Sequence, residues 1–146
     1  MKEPPKGWPR ISSAVFYDDA PAAIDWLCRA FGFEVRLRVD GPEGEIVHSE
    51  LVLGGGVIMV GSAGRSKRVP PLPCASPRGL GGANTQCLGV YVDDVDAHCA
   101  TARAAGATIV DEPTTTDHGP EYWADRSYRA VDPEGHHWFF MQRMRG

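Results

Sequence analysis

Two stretches of this chain carry the same signals in the same order, about 75 residues apart. The first holds Val15-Phe16-Tyr17-Asp18-Asp19 and a helix-like stretch ending at Gly32. The second holds Gly89-Val90-Tyr91-Val92-Asp93-Asp94 and a helix-like stretch ending at Gly106. From Asp19 to Asp94 is 75 residues, and from Gly32 to Gly106 is 74. Similarity at one offset, in one element order, marks an internal duplication, and each half must then fold as the same supersecondary unit.

In the first half, residues 11–17 are rich in β-branched and aromatic side chains and predict a strand. Asp19 is placed to cap a helix, and Pro21 falls in its first turn, where a missing N–H costs nothing. Ile24, Leu27, Cys28 and Phe31 form one apolar helical face, and Gly32 closes the helix. Strand-like runs follow at 33–39, 45–53 and 57–61, the last two separated by a glycine turn. The second half repeats this with a strand at 87–92, a helix from 95 closed by Gly106, and strands at 108–111, 126–131 and 136–141. Asp132-Pro133-Glu134-Gly135 joins the last two. Each half reads β-α-β-β-β. The chain is therefore α+β, with modules over 9–62 and 85–143. Residues 63–84 between them hold four prolines, four glycines, Arg65, Lys67, Arg68 and Arg78. So many breakers predict a connecting loop, whose basic residues form a solvated face or guide an anionic ligand.

Composition narrows the function. A net charge of −4 over 146 residues argues against nucleic-acid binding, which needs a basic face. Cys28, Cys74, Cys87 and Cys99 form no CxxC pair, so neither a zinc ribbon nor a thioredoxin motif is expected. Cys28 and Cys99 read as small core residues. There is no apolar segment of signal-peptide type at the N-terminus and no membrane-spanning run, so a cytoplasmic protein with reduced thiols is expected.

The duplicated pattern resembles the vicinal oxygen chelate superfamily (glyoxalase I, bleomycin-resistance proteins, extradiol dioxygenases). Three stretches carry the likeness. One is Val15–Asp19 with Ala23-Ile24-Asp25-Trp26-Leu27 and Phe31-Gly32-Phe33. Another is Gly89–Asp96 with Ala104-Ala105-Gly106-Ala107. The most specific is Tyr122-Trp123-Ala124-Asp125-Arg126-Ser127-Tyr128 followed by Asp132–Trp138. The resemblance is closest to the bleomycin-resistance-like branch. It implies a cupped mixed sheet around a cavity, helices on the outer face, and a homodimer. Open sheet edges and the proline-rich arm with Trp8 point to pairing as well.

Metal-dependent members of that superfamily place ligands on the first and last strands of each module. The corresponding positions here hold Ser12, Met59, Cys87 and Phe139. A hard divalent ion needs carboxylate or imidazole donors. Three of the four cannot serve, and Cys87 is a weak case, more commonly a buried thiol. No metal and no other cofactor is expected. A relocated site remains as an alternative: His48 and Glu50 share a strand face, and His118, Glu121 and Asp125 cluster near the end of the second module.

With the metal lost, the positions meant for chemistry become a pocket wall. Alternation along the strands sets Ser12, Ala14 and Phe16, then Cys87, Gly89 and Tyr91, then His137, Phe139 and Met141 toward the cavity. His136, Trp138 and Phe140 then face the helices. Trp123 and Tyr122 are placed to close over a ligand or to pack against a neighbouring module or subunit. Arg126 or Arg129, the sequence leaving open which points inward, is placed to meet an acidic group. The expected function is metal-independent binding of an aromatic or heterocyclic small molecule, as in drug or metabolite sequestration. The candidate contacts are Ser12, Phe16, His48, Glu50, Cys87, Tyr91, Trp123, Arg126, Arg129, His137 and Phe139. The alternative is a glyoxalase I-like lyase or isomerase with a relocated divalent metal, or one using His137, His48 or Glu50 as acid–base groups.

Overall fold

A computed structural model describes all 146 residues. The chain divides into two compact units, Met1–Ser76 and Pro77–Gly146. Each holds one four-stranded mixed sheet and one helix, in the order β-α-β-β-β.

The first unit contains β1 (Ser13–Tyr17), α1 (Ala20–Phe31), β2 (Glu34–Asp40), β3 (Ile46–Leu53) and β4 (Gly56–Ser62). Its sheet order is β1-β4-β3-β2, with β1 parallel to β4 and the other pairs antiparallel. The helix begins where its side-chain chemistry dictates: Asp19 Oδ1 accepts the Ala22 N–H at 3.1 Å. It ends at Gly32, whose left-handed φ of 81° suits a residue without Cβ. Ile24, Leu27 and Phe31 are buried with Tyr17, Leu51 and Val60, which places α1 on one face of the sheet. Trp26 meets the Phe31 ring edge-on at 4.9 Å. One buried polar residue belongs to this core. Ser49 Oγ donates to Val60 O and accepts from Val60 N–H, so the hydroxyl ties β3 to β4.

The second unit contains β5 (Leu88–Tyr91), α2 (Val95–Ala104), β6 (Thr108–Asp117), β7 (Ala124–Val131) and β8 (His137–Arg145), after a short 3-10 turn at Pro77–Leu80. Its sheet order, β5-β8-β7-β6, repeats that of the first unit, with β5 parallel to β8. Asp94 caps α2 as Asp19 caps α1. Trp138 and Phe140 are buried against the helix side together with Tyr128, while Phe139 points the other way, as alternation requires. Tyr128 stacks on Phe140 at 5.2 Å, and its hydroxyl lies 2.7 Å from His98 Nδ1 on α2. Burial pushes the Tyr128 hydroxyl well above the usual tyrosine range.

The Asp-Pro-Glu-Gly turn explains itself in this unit. Asp132 Oδ1 accepts the N–H groups of Glu134 and His136, and its Oδ2 accepts Trp138 Nε1–H at 3.1 Å. One carboxylate thus closes the hairpin and fixes the largest core side chain. Gly135 takes a φ of 98°, which non-glycine residues avoid.

Three strands run longer than the sequence pattern predicts. β6 continues to Asp117, β7 starts at Ala124, and β8 continues to Arg145. The extensions are polar, so hydrophobic alternation does not mark them. Backbone pairing carries them: Thr115 faces Arg126 and Asp125 faces Arg143 in the ladders. No helix is long and apolar enough to cross a membrane.

Candidate functional site

The first unit's sheet turns one face to α1 and leaves the other free of helix. On that free face lies a cavity of about 470 Å³. Ala14 and Phe16 of β1, Ile46 and His48 of β3, and Met59 and Gly61 of β4 line it. The Phe16 ring sits over Gly61, where an added Cβ would come within 3.3 Å of it. The glycine therefore makes room for the aromatic wall. The remaining wall is the segment after β4: Arg65, Ser66, Lys67, Arg68, Leu72 and Cys74. Ser66 Oγ folds this strap by accepting from the N–H groups of Arg68 and Leu72. Basic side chains and one leucine are thereby brought over an apolar floor.

His48 and Glu50 meet on β3, with His48 Nε2 3.1 Å from Glu50 Oε1. The other carboxylate oxygen accepts Arg36 Nε–H at 2.7 Å, and the Arg36 guanidinium lies over the Trp8 ring, 4.6 Å from its centroid. The His48 hydrogen bond and the Arg36 cation together hold Glu50 below the usual carboxylate range, against the effect of burial. Trp8 thus stacks against Arg36 of its own chain. Glu45 is buried beside the strap. Its own N–H, the Glu43 N–H and the nearby cations Lys67 and Arg65 keep its carboxyl below the usual range, against burial.

On the free face of the second sheet, Tyr91, Asp125 and Arg143 form a closed network. Tyr91 O–H donates to Asp125 Oδ2 at 2.9 Å, and Arg143 donates to both Asp125 and the Tyr91 oxygen. Burial pushes the Asp125 carboxyl up, but Arg143 and Tyr91 outweigh it, and the group lies below the usual range. Arg143 also stands over the Tyr91 and Trp123 rings, at 5.4 and 5.6 Å. Arg129 and Phe139 are register partners on this same face, with the guanidinium 5.8 Å from the ring.

Several predicted contacts are thus placed. Phe16 and His48 line the first-unit cavity, and Glu50 stands behind His48. Ser12 precedes β1 outside the lining, its buried Oγ without a hydrogen-bond partner. Cys87 precedes β5 and is exposed, not the buried thiol that the sequence pattern suggested. Tyr91, Trp123, Arg129 and Phe139 belong to the free face of the second sheet. His137 opens β8 and donates its backbone N–H to Asn84 Oδ1. Arg126 is committed elsewhere: its guanidinium grips both oxygens of Asp96 on α2, at 2.7 and 2.8 Å. Between the two arginines left open by the sequence, Arg129 therefore shares the face of Phe139. The sequence marked Arg65, Lys67 and Arg68 as a basic stretch and Asp125 as one of a candidate metal cluster, but not Leu72 as a wall residue nor Arg143 as the partner of Asp125. The signal for the strap was its run of cations together with Leu72, an apolar residue set among prolines.

The model of the glyoxalase/bleomycin resistance protein/dioxygenase superfamily matches residues 10–140. The chain belongs to this superfamily. An uncharacterized protein of Mycobacterium bovis is 34% identical over 140 residues, spanning 94% of this chain and 85% of its own length. An uncharacterized protein of Mycobacterium tuberculosis is also 34% identical, with 76% of its length covered. Among solved structures, TioX from Micromonospora sp. ML1 aligns with a TM-score of 0.71 and 35% identity, over 93% of this chain and 99% of that one. A superfamily enzyme from Burkholderia phytofirmans PsJN aligns with a TM-score of 0.64 at 20% identity, over 90% and 95%. This second likeness is one of fold.

The divalent metal of the superfamily's enzymes does not fit the residues present. Met59 offers a thioether on the cavity wall and Phe139 offers no donor atom at all. The Ser12 hydroxyl is a poor ligand without a partner donor set. On β3 the relocated candidates are engaged with each other and with Arg36: one Glu50 oxygen meets His48 and the other accepts Arg36 Nε–H.

Proposed function

We propose that this superfamily member binds a small organic molecule in the first unit's cavity without a metal, and serves by holding it. The observation that carries the reading is the cavity of about 470 Å³ itself, with Phe16, Ile46, Met59 and Leu72 as an apolar lining and His48 as a polar anchor. Pockets for small ligands have this size and this mixture of apolar wall and few polar groups. Phe16 favours a flat aromatic or heterocyclic body, which stacks on a ring at little entropic cost. On this reading Glu50 is a positioning residue: it orients the His48 ring and fixes which nitrogen faces the cavity. The free face of the second sheet, with Tyr91, Trp123, Arg129 and Phe139, supplies further aromatic surface for a ligand or for a second copy of the chain in a homodimer.

The test is a titration of the purified protein with a panel of aromatic and heterocyclic compounds, followed by heteronuclear NMR. Saturable shifts confined to Phe16, His48, Met59 and Leu72 are expected. Filling the cavity with Met59→Trp should abolish them. A panel that produces no saturable shift, or shifts insensitive to Met59→Trp, would refute the reading. The competing glyoxalase I-like activity is checked by assaying lactoylglutathione formation with added Ni²⁺ or Zn²⁺, where no turnover above background is expected.

A further inference from the structure

We infer that the molecule held in the first unit's cavity is an anion, an aromatic body carrying a carboxylate or similar acidic group, recognised by the strap through Lys67 and Arg68. The inference rests on the binding reading above and adds the charge of the ligand to it.

The argument is a local balance of charge. Three cations of the strap line the cavity: Arg65, Lys67 and Arg68. Glu45 is the acid in the same lining. Arg65 is consumed by Glu43 at 2.7 Å. Glu45 is buried and already accepts the Glu43 N–H at 2.9 Å, so it has little left to offer. Lys67 Nζ stands 3.7 Å from Glu45, a loose pair on a largely exposed side chain. Arg68 makes no ion pair, and only its backbone N–H is engaged, by Ser66. Arg68 and, in large part, Lys67 thus border the cavity without a matching acid. The chain as a whole carries −4, so this surplus runs against its overall charge.

The opposite wall cannot supply the missing acid. Glu50 is bound by His48 and Arg36, and the lining residues of β1 and β4 are uncharged. The apolar floor of Phe16, Ile46 and Met59, with Leu72 of the strap above it, fits an organic body better than a bare inorganic anion, which would leave that surface uncovered. A molecule with an apolar aromatic end and an acidic end satisfies both walls together. A guanidinium fork suits a planar carboxylate in two parallel hydrogen bonds.

Isothermal titration with 2-naphthoate and with its neutral amide, 2-naphthamide, separates the charge from the shape. Wild-type protein should bind the acid more tightly than the amide by about tenfold or more, the usual scale of one charge-assisted contact. Arg68→Ala should remove most of that preference, and Lys67→Gln/Arg68→Ala the rest. Affinity for the amide should fall less than affinity for the acid in both variants. Both side chains are exposed, so the fold should survive, and circular dichroism checks that. Met59→Trp should abolish binding of both compounds. Equal affinity for acid and amide in the wild type would overturn the inference while leaving the pocket reading intact. So would a preference unchanged in the double variant. Failure of both compounds to bind would count against the pocket reading and remove the inference with it.

Discussion

Single residues decide more here than their number suggests. Asp132 satisfies two backbone N–H groups and the Trp138 indole with one carboxylate. Replacing it with alanine leaves three donors short of partners in a largely buried turn, each costly to abandon. Asp132→Ala should lower stability by about 2–4 kcal/mol, read as a drop in the midpoint of thermal unfolding. Ser49 holds the comparable place in the first unit, where one hydroxyl serves both the N–H and the C=O of Val60. Ser49→Ala should cost about 1–3 kcal/mol, while Ser49→Thr keeps the hydroxyl but adds a methyl to a site with no exposed surface. Denaturant titration of the three proteins would order them wild type, threonine, alanine if the hydroxyl outweighs the crowding, and alanine above threonine would mean the reverse.

At the scale of elements, the two halves repeat a device as well as an order. Each helix opens on an aspartate whose side chain accepts the N–H three residues on. Asp19→Ala and Asp94→Ala should each cost about 1 kcal/mol, the usual worth of such a cap. Guanidinium melts of the two variants should show similar losses; a loss in only one would mean the halves are not energetic equivalents. The helices were legible in the sequence because caps, periodicity and terminal glycines all agree. The outer strands were less so. β6 reads Thr-Ile-Val-Asp-Glu-Pro-Thr-Thr-Thr-Asp and β2 is exposed along its whole length, so neither shows a buried alternation. Their pairing is set by neighbours in the sheet, which local pattern does not contain.

For the whole molecule, charge placement predicts the response to acid. Glu45, Glu50, Asp96, Asp117 and Asp125 all lie below the usual carboxylate range, held there by hydrogen bonds and neighbouring cations against burial. A carboxyl depressed in the folded state adds stability that is present above its unfolded value and lost as pH falls through the folded one. Stability should therefore be level from neutral pH down to about pH 5 and fall steeply below about pH 4. Thermal melts across that range check it, and a melt insensitive to pH below 4 would contradict the assignment. Thiol reactivity should also differ by site. Cys87 is exposed, while burial raises Cys99 within α2. Mass-resolved alkylation at neutral pH should label Cys87 first and Cys99 last.

The sequence by itself determined the duplication, the β-α-β-β-β order, the helix boundaries and the face on which Trp138, Phe140 and Phe139 lie. These follow from local caps and from the two-residue period of a strand, and both are written in neighbouring residues. The resemblance to the superfamily implied in addition that Met59 and Phe139 stand where its enzymes keep metal ligands. Only the tertiary structure decided that residues 65–74 wall a cavity rather than merely connect two halves. Only the structure sent Arg126 to Asp96 and left Arg129 beside Phe139, and only it closed Tyr91, Asp125 and Arg143 into one network. Each of these joins side chains from separate strands, loops or helices. No local period encodes such a meeting, because it depends on which strands pair and in what register.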